Sequence, residues 1–322
     1  MAEQSWTDIA LTPNLPGRAV PGDRLIALAG WIQRVAPRGK GYFPRALGRL
    51  AVPEGPRKRL YLETRHGVRM LMPPQALDVY ATMLANGRSW DYHDFELCLG
   101  LAPEGCVFYD LGANVGYESL ELARVRGPGT RVFSFEPLDA LAQSIADSAA
   151  LNDLEVASFS VLVGDRDEET PFFTPTTGST LIGSAVSNSP GQSSVESTKQ
   201  MVSLDRLVYQ AGMAPPDAMK VDVEAAEHLV FAGAHRVLRE ARPHIFMEYF
   251  SDFDEGGKTR AAVESLMADT GVYGLYGYPR LHFQDRFPTR LFPLTEDAQW
   301  DLVHGLVLRN TERPLADATI FD

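Results

Sequence analysis

Short apolar runs alternate with amphipathic segments of helix length from about residue 106 onward. This alternation is typical of repeated βα units, in which helices connect the strands of a mostly parallel sheet. We therefore predict an α/β fold with flanking helices and a seven-stranded, mostly parallel sheet. The predicted strands cover residues 107–110, 131–136, 156–163, 218–222, 244–247, 272–276 and 302–308.

The first hundred residues follow a different pattern. Residues 1–22 are rich in Pro and Gly without periodicity, which favours an extended arm. Gly67 separates two apolar runs, 60–64 and 68–72, and can supply the positive φ of a hairpin turn. Residues 1–100 are thus interpreted as an N-terminal helical and hairpin extension, and residues 101–322 as the catalytic domain. Helices are predicted over 23–36, 42–50, 74–86 and 92–101.

Residues 174–199 are dense in Ser, Thr and Gly and lie between two predicted strands. A linker of this length inside a compact domain favours a functional lid that faces substrate or cofactor. A surface insertion without such a role is the alternative.

Charge is distributed unevenly along the 322 residues. The formal net charge of −12 argues against a general nucleic-acid binder, which needs a basic surface. Residues 18–70 nevertheless carry twelve Lys or Arg against three acids, a net of +9. This segment favours capture of an anionic or carrier-linked acceptor or of an anionic membrane surface, and equally well pairing with the acidic body or formation of a homo-oligomer.

Targeting and redox signals are weak. No run approaches the roughly 18 apolar residues of a membrane span, and the start of the chain lacks the order of a signal peptide, so a cytoplasmic location is expected. Cys98 and Cys106 have no neighbouring His or Cys at metal-ligand spacing. Both are expected to pack as small apolar side chains.

The most informative motif follows the first predicted catalytic-domain strand, where residues 110–117 read Asp-Leu-Gly-Ala-Asn-Val-Gly-Tyr. A dinucleotide fingerprint would have glycines at Asn114 and Tyr117 as well as at Gly112, because the pyrophosphate approaches the backbone closely. Their absence disfavours NAD and FAD. The Walker lysine pattern is absent too, which disfavours phosphoryl transfer.

An acid at the strand end followed by Gly-x-x-x-Gly suits a ligand with an ammonium, a sulfonium and an adenosine. Asp110 can face the ammonium, Gly112 and Gly116 can leave room for the amino-acid moiety, and Glu136 at the next strand end can accept hydrogen bonds from both ribose hydroxyls. The alternative makes Asp110 a helix cap and Glu136 a surface acid. The candidate cofactor-binding residues are Asp110, Gly112, Ala113, Asn114, Gly116, Tyr117, Glu136, Pro137, Gly164 and Asp165. The last two, Gly164 and Asp165, would contact the edge of the adenine or else form an ordinary turn.

A second motif, Lys-Val-Asp-Val-Glu-Ala at residues 220–225, ends the predicted fourth strand. Together with the residue 110–117 turn and the Phe-Glu-Pro strand end at 135–137, it makes residues 61–249 resemble the FkbM family of methyltransferases. The resemblance implies a Rossmann-like class I methyltransferase fold, S-adenosylmethionine (SAM) as methyl donor, S-adenosylhomocysteine (SAH) as product, and hydroxyl acceptors on sugars, polyketides and related natural products. One departure is Ala225, where the family usually has Gly.

Transfer of a methyl group to oxygen needs a held alcohol and a group that takes its proton. Lys220 and Asp222 lie two apart on one strand and so share a face. Asp222 is the first candidate base, Glu224 the second and Glu248 the third, and Lys220 can hold these carboxylates in place. Glu227 and His228 read better as a salt-bridged helix start, and no metal is expected because no complete metal-ligand motif occurs.

The predicted activity is O-methylation of a small-molecule or glycan acceptor, as a SAM-dependent O-methyltransferase. Two alternatives belong to other classes: a nicotinamide-dependent oxidoreductase, and a non-catalytic protein that keeps the SAM-binding fold. The interpretation as an enzyme depends on the residues around position 222. The loop after residue 110 is expected both in a methyltransferase and in a non-catalytic protein that keeps the SAM-binding fold.

Overall fold

The computed structural model describes residues 60–64, 66–73, 76, 79, 92–175, 194–279 and 291–317. The predicted arm, the predicted helices over 23–36 and 42–50, most of the predicted helix over 74–86 and the basic residues up to position 59 lie outside these ranges. In the described part, none of the helices is both long and apolar enough to cross a membrane.

The predicted N-terminal hairpin and the helix that precedes the catalytic strands are both present. Strands β1 (Leu60–Glu63) and β2 (Arg69–Met72) pair antiparallel, with Gly67 at φ 75° in the turn. Helix α1 follows at Tyr92–Leu101.

The main sheet has eight strands, which are β3 (Val107–Leu111), β4 (Arg131–Phe135), β5 (Val156–Phe159), β9 (Ala218–Val221), β10 (His244–Glu248), β11 (Tyr273–Pro279), β12 (Phe292–Pro293) and β13 (Val303–Asn310). Across the sheet they lie in the order β12-β11-β13-β10-β9-β3-β4-β5. The central strands β10, β9, β3, β4 and β5 are parallel, and β13 runs antiparallel to both of its neighbours.

The α/β fold with a mostly parallel sheet is confirmed, with two differences from the predicted strands. The two-residue β12 adds an eighth strand at one edge. The predicted strand 156–163 is divided, because only β5 joins the main sheet, whereas β6 (Leu162–Val163) pairs with β8 (Ser194–Val202) in a second sheet completed by β7 (Glu169–Pro175).

This second sheet corrects the loop predicted over 174–199 at both of its ends. Residues 174–175 lie in β7 and residues 194–199 in β8, which pair from Glu169 opposite Gln200 to Pro175 opposite Ser194. Ser194, Ser197 and Thr198 sit in a largely exposed, alternating strand, where β-branched Thr and Val are well tolerated. The rest of the predicted loop, residues 176–193, lies outside the described residues.

Helices cover both faces of the main sheet and enclose two cores. Phe108 on β3 faces a core shared with α1 and the hairpin residues Met70 and Met72, and its neighbour Tyr109 faces the opposite core. The remaining helices are α2 (Tyr117–Arg126), α3 (Asp139–Leu151), α4 (Leu204–Tyr209), α5 (Glu227–Gly233), α6 (His235–Glu240) and α7 (Lys258–Thr270).

Strand β2 is held along its outer edge by side chains of α3. The Leu71 N–H donates to Ser148 Oγ at 2.8 Å, and the Arg69 N–H donates to Asn152 Oδ1 at 2.9 Å. Polar side chains of a helix here satisfy backbone groups that a further strand would otherwise pair. The hairpin therefore packs as part of the same body as the catalytic strands.

Candidate active site

The loop after β3 packs directly onto the end of β9. Gly112 has φ 81°, and a Cβ at this position would lie 1.7 Å from the Asp222 carbonyl oxygen. Gly116, at φ 76°, lies so close to Ile145 of α3 that a Cβ would come within 2.6 Å of its Cγ1. Both glycines are thus required by contacts inside the protein, which is a different reason from the room for ligand that the sequence suggested.

Asp110 is the last residue but one of β3 and is completely buried. Its Oδ2 accepts a hydrogen bond from Ser119 Oγ at 2.5 Å, and its Oδ1 has no hydrogen-bond partner among the described residues. Burial raises the pKa of this carboxyl, and the nearby Lys220 ammonium opposes the rise. The N-cap of α2 is Gly116, so the alternative role of Asp110 as a helix cap is not what the structure shows.

Glu136 follows β4 and is buried, not a surface acid. Its Oε2 accepts from the Asn114 N–H and its Oε1 from the Leu138 N–H, both at 2.9 Å. Each carboxylate oxygen keeps a further lone pair. Burial raises the pKa of Glu136 to about 8 against the two backbone donors, and this rise includes a smaller contribution from the negative charges of Asp110 and Asp222.

A cleft with about 660 Å³ of empty space, part of it open to solvent, lies beyond the carboxyl ends of these strands. Asn114, Glu136, Asp222 and Glu224 line its polar side, and the Asn114 Oδ1 is buried without a hydrogen-bond partner among the described residues. The apolar lining includes Phe135, Val161, Leu162, Val163 and Phe172.

The other predicted cofactor residues have varied surroundings. Pro137 lines the cleft, and Ala113 is buried with its N–H bonded to the Phe135 carbonyl at 3.1 Å. Tyr117 is buried with its ring edge against Phe95 of α1, at a centroid distance of 5.6 Å.

Gly164 and Asp165 do not belong to the described lining of the cleft. A Cβ on Gly164 would meet the Met201 sulfur at 2.4 Å, so this glycine serves packing against β8. Asp165 pairs with Arg166, Oδ1 to Nε at 2.8 Å. These contacts favour the ordinary-turn interpretation over the adenine edge.

Lys220 and Asp222 share one face at the end of β9, as their spacing predicts. The Lys220 ammonium is buried, and its Nζ lies 2.8 Å from Asp222 Oδ2. The strand runs between β3 and β10 in the middle of the sheet, so this ion pair sits at the carboxyl edge next to the Gly112 loop. A lysine this deep needs such a partner, since an unpaired buried charge is costly.

Glu248, at the end of β10, contacts the same group of acids. Its carboxyl lies near that of Asp222, whose negative charge opposes its ionisation. Burial, together with the negative charges of Asp222, Glu224 and Asp94, raises the pKa of Glu248 to about 11. Glu248 therefore holds a proton at neutral pH, and two of the three predicted base candidates form one carboxyl pair.

Sequence reasoning missed Asp94 and His304. Asp94 lies on α1 and accepts a hydrogen bond from Tyr278 at 3.1 Å, and its pKa is raised to about 7 chiefly by burial. His304 lies on β13, with Nε2 3.4 Å from Glu248 Oε1. The pairing of β10 with β13 brings it there, and no local motif marked it among seven scattered histidines.

The turn after Asp222 has an unusual backbone. Glu224 and Ala225 have φ values of 54° and 69°, in the left-handed region that only Gly adopts without strain. Ala225 occupies the position where the resemblance led us to expect Gly. The alanine therefore adopts a backbone conformation that suits Gly, at a cost in strain.

Replacing this alanine should relieve the strain. We expect Ala225→Gly to raise the free energy of unfolding by about 1 kcal/mol, because the left-handed conformation costs an L-residue about 1–2 kcal/mol and the greater entropy of unfolded Gly offsets part of the gain. Urea denaturation measures the change. Ala261→Gly, at an exposed position inside α7, is the matched control and should lose about 1 kcal/mol. Equal losses of unfolding free energy in both variants would contradict the proposed strain at Ala225.

Buried acids also predict how stability depends on pH. Burial raises the pKa values of Glu224 and Glu136 to about 8 and of Glu227 and Asp94 to about 7, so the folded state retains protons that the unfolded state releases near pH 4–4.5. The stability that these four carboxyl groups contribute is therefore fully present below pH 4.5 and is lost as the pH rises through 7 to 8.

We expect the melting temperature of the cofactor-free protein to fall between pH 5 and 8, with each retained proton contributing up to about 1.4 kcal/mol per pH unit. Thermal melts across this pH range test whether the melting temperature falls or rises with pH. Glu224→Gln removes one titrating group and should flatten the dependence, and a melting temperature that rises toward pH 8 would contradict it.

A buried acid lies on each side of the glycine loop, and this arrangement suits a ligand that carries a positive charge. Among the residues that the structure describes, no group of three or more His, Cys, Asp or Glu is arranged to hold a metal ion. The orphaned oxygens of Asp110 and Asn114 provide acceptors that a ligand ammonium can satisfy. The residues present therefore fit SAM.

Comparison with known proteins gives one family and several distant structures. The Methyltransferase FkbM domain model matches residues 110–273. Comparison with curated protein sequences gives no match. Among solved structures, the methyltransferase FkbM of Methylobacillus flagellatus KT is 15% identical with a TM-score of 0.41, and the match covers 73% of this chain and 54% of that one. The chain thus spans about half the length of that protein.

Two structures solved with SAM are also similar. Fibrillarin from Aeropyrum pernix is 14% identical over 69% of this chain and 76% of that chain, with a TM-score of 0.38. The O-methyltransferase TomG from Streptomyces achromogenes, involved in tomaymycin synthesis, is 14% identical over 68% and 77%, with a TM-score of 0.37. Because the FkbM model itself covers just over half of the chain, including the loop, strand ends and carboxylates of this site, the chain belongs to the FkbM family of SAM-dependent methyltransferases.

Proposed function

We propose that this methyltransferase transfers the methyl group to a hydroxyl oxygen of a sugar, glycan precursor or polyketide-type natural product. The observation that carries the proposal is the Asp222 carboxylate, which lines the cleft and is held by the buried Lys220 at 2.8 Å. A fixed carboxylate at this edge can accept the proton that an alcohol loses when it is methylated. An amine acceptor in its neutral form has less need of such a base.

The cofactor would be held by groups on both sides of the Gly112 loop. Glu136 would accept from the ribose hydroxyls, Asp110 and Asn114 would supply buried acceptors for the ammonium end, and Phe135 and Phe172 would face the adenine. When bound, SAM supplies a methyl group on a sulfonium, whose positive charge these acids favour.

The acid-rich cleft also bears on the acceptor. Asp222, Glu224 and Glu248 lie near one another with Lys220 as their close cation. An anionic group beside the reacting hydroxyl would be repelled here, so any phosphate or carrier on the acceptor lies away from this point. The basic N-terminal segment, which lies outside the described residues, remains the candidate for holding such a group.

The test is the identity of the methylated atom. Protein and SAM with a ¹³C-labelled methyl group are incubated with a panel of methyl hexosides, 6-deoxyhexosides, amino sugars and hydroxylated macrolactones. We expect a carbon resonance of a methoxy group in at least one hydroxyl compound and SAH in equal amount. Methylation confined to the amines of the amino sugars would overturn the assignment to oxygen, and a signal in none of the compounds would remove its support.

A further inference from the structure

An exposed aromatic side chain lies just beyond the end of β10. Among the described residues, the large apolar side chains that are exposed are Val125, Val195, Phe253 and Leu302. Phe253 is the aromatic member of this set, with 61% of its surface exposed. It lies in the turn after β10, at the carboxyl edge of the sheet, where ligands of open α/β folds bind. An exposed apolar ring at this edge is suited to contact a ligand.

The loop that carries Phe253 is held in place before any ligand binds. The Phe253 N–H donates to the Phe250 carbonyl at 3.0 Å. The next residue, Asp254, accepts from the Thr259 N–H in the first turn of α7 at 2.8 Å and from the Tyr249 hydroxyl at 3.2 Å. A ring that is already positioned loses little conformational entropy when a ligand covers it.

Phe250 joins Phe253 to polar residues of the site. The rings of Phe250 and Phe253 are nearly perpendicular, with 5.8 Å between their centroids, and Phe250 meets the ring of His304 at the same angle at 4.4 Å. Nε2 of His304 lies 3.4 Å from Glu248 Oε1. These four side chains, Phe250, Phe253, Glu248 and His304, form one contiguous group, which we call the aromatic platform.

Strand register brings the aromatic platform to the proposed base. Strands β9 and β10 run parallel with Val221 opposite Met247, and Asp222 and Glu248 are the next residues of the two segments. Neighbouring strands lie about 4.8 Å apart, so Asp222 and Glu248 are side by side at the carboxyl edge. An acceptor that rests on the aromatic platform can therefore place a hydroxyl next to Asp222.

A bulge in β13 accounts for the position of His304. The register of β13 against β11 shifts between Val303 and Gly305, the residues on either side of His304. Such a bulge redirects a side chain, and the ring of His304 lies against Phe250. The side chains of Glu248 and His304 are 24% and 27% exposed, so their polar atoms can reach a ligand at the rim of the aromatic rings.

Charge and shape indicate which kind of group the aromatic platform holds. Glu248 and the exposed loop acids Asp252 and Glu255 outnumber the nearby cation Lys258, so an anionic group would be repelled. Aromatic rings contact an apolar face, whereas Glu248 and His304 need hydroxyl partners close to that face. A sugar ring combines both, with C–H groups on its face and hydroxyls around its edge. A macrolactone would need a wider apolar surface.

We propose that Phe250 and Phe253 hold an uncharged sugar ring of the acceptor by one face, with Glu248 and His304 hydrogen-bonded to hydroxyls at its edge. The hydroxyl to be methylated then points toward Asp222. The inference rests on the proposed transfer to a hydroxyl and narrows its acceptor to a sugar.

The ring signals of phenylalanine test the aromatic platform without any methyl transfer. Protein with ¹³C-labelled phenylalanine rings and saturating SAH is titrated with methyl hexosides and 6-deoxyhexosides, and Phe250→Leu and Phe253→Leu identify the two signals by NMR. We expect at least one of these sugars to move both signals. Phe253→Leu stays apolar but loses the ring and should bind that sugar about tenfold more weakly, whereas Phe253→Trp should stay within a few-fold of wild type.

Val125→Ala, which shortens an exposed apolar side chain in the last turn of α2, is the control and should leave the sugar affinity unchanged. The affinity for SAH and the urea midpoint should be the same in Phe253→Leu and wild type, whereas a structural role of the ring would change them. Equal sugar affinity in Phe253→Leu and wild type, or ring signals that none of the sugars moves, overturns the aromatic platform. Movement of the signals by a hydroxylated macrolactone and by none of the sugars overturns the assignment to a sugar.

Failure of this inference and failure of the proposed function give different results. Sugars that move both ring signals but are methylated on nitrogen or not at all would remove the proposed transfer to oxygen and leave the aromatic platform as a sugar site. A methoxy product from a sugar that moves neither signal would keep the proposed function and overturn the aromatic platform.

Discussion

Asp222→Asn is expected to lower the rate of methyl transfer by about 10²–10⁴-fold, the usual contribution of a positioned general base. The amide is close in shape to the carboxylate and can keep one oxygen near Lys220 Nζ, which lies 2.8 Å from Oδ2 in the wild type. The backbone contact from the Asp222 N–H to the Leu111 carbonyl, at 2.9 Å, does not depend on the side chain. The loss should therefore fall on the chemical step and spare the fold.

Single-turnover rates with saturating SAM measure the effect, and SAH affinity by calorimetry measures whether the cleft is intact. We expect SAH to bind within a few-fold of its wild-type affinity, because the variant leaves unchanged the groups proposed to hold the cofactor, which are Glu136, Asp110 and the Gly112 loop. Asp269→Asn is the control for the loss of one acid far from the site. A wild-type rate in Asp222→Asn would show that another group takes the proton, with Glu248 the next to replace.

The strand ends of this site could be predicted because each carries its own local signal. Asp110, Glu136 and Asp222 all follow short apolar runs, and parallel strands bring their carboxyl ends to one edge of the sheet. The two-residue spacing of Lys220 and Asp222 likewise determines that both side chains leave the same face.

Contacts between elements distant in sequence could not be predicted in the same way. His304 reaches Glu248 only because β13 inserts between β10 and β11 in the sheet, and Asp94 reaches this region only because α1 packs over it. Phe172 joins the cleft on β7, which pairs with β8, and the composition of residues 194–199 at the start of β8 predicts a loop instead of a strand. In each case the deciding interaction joins residues that have no common local pattern.

Gly112 shows the same limit of prediction from sequence. Gly-x-x-x-Gly after an acid suggested space for a ligand, and the sequence offers no way to tell this from space for the protein's own backbone. In the structure Gly112 lies against the carbonyl of Asp222, 110 residues later in the chain. The loop and the end of β9 are therefore in direct contact, so that one cannot shift without the other, and this has a testable consequence.

Gly112→Ala should destabilise the protein by about 2–5 kcal/mol, the sum of the strain of a left-handed residue and of an overpacked contact. The backbone has φ 81° here, and the added Cβ would lie 1.7 Å from the Asp222 carbonyl oxygen, which is backbone and cannot rotate away. Gly105→Ala separates the two causes, because Gly105 has φ 71° with nothing within 4 Å of an added Cβ. It should lose only the strain, about 1–2 kcal/mol.

Urea denaturation of both variants gives the difference that belongs to the contact. Any Gly112→Ala protein that remains folded must move the end of β9 to make room, and Asp222 moves with it. We therefore expect the folded fraction to bind SAH more weakly and to transfer methyl groups more slowly than wild type, whereas Gly105→Ala keeps both properties. If the two variants unfold at the same urea concentration, the loop and the strand end are not in the contact described, and the placement of Asp222 beside the cofactor cleft loses its structural basis.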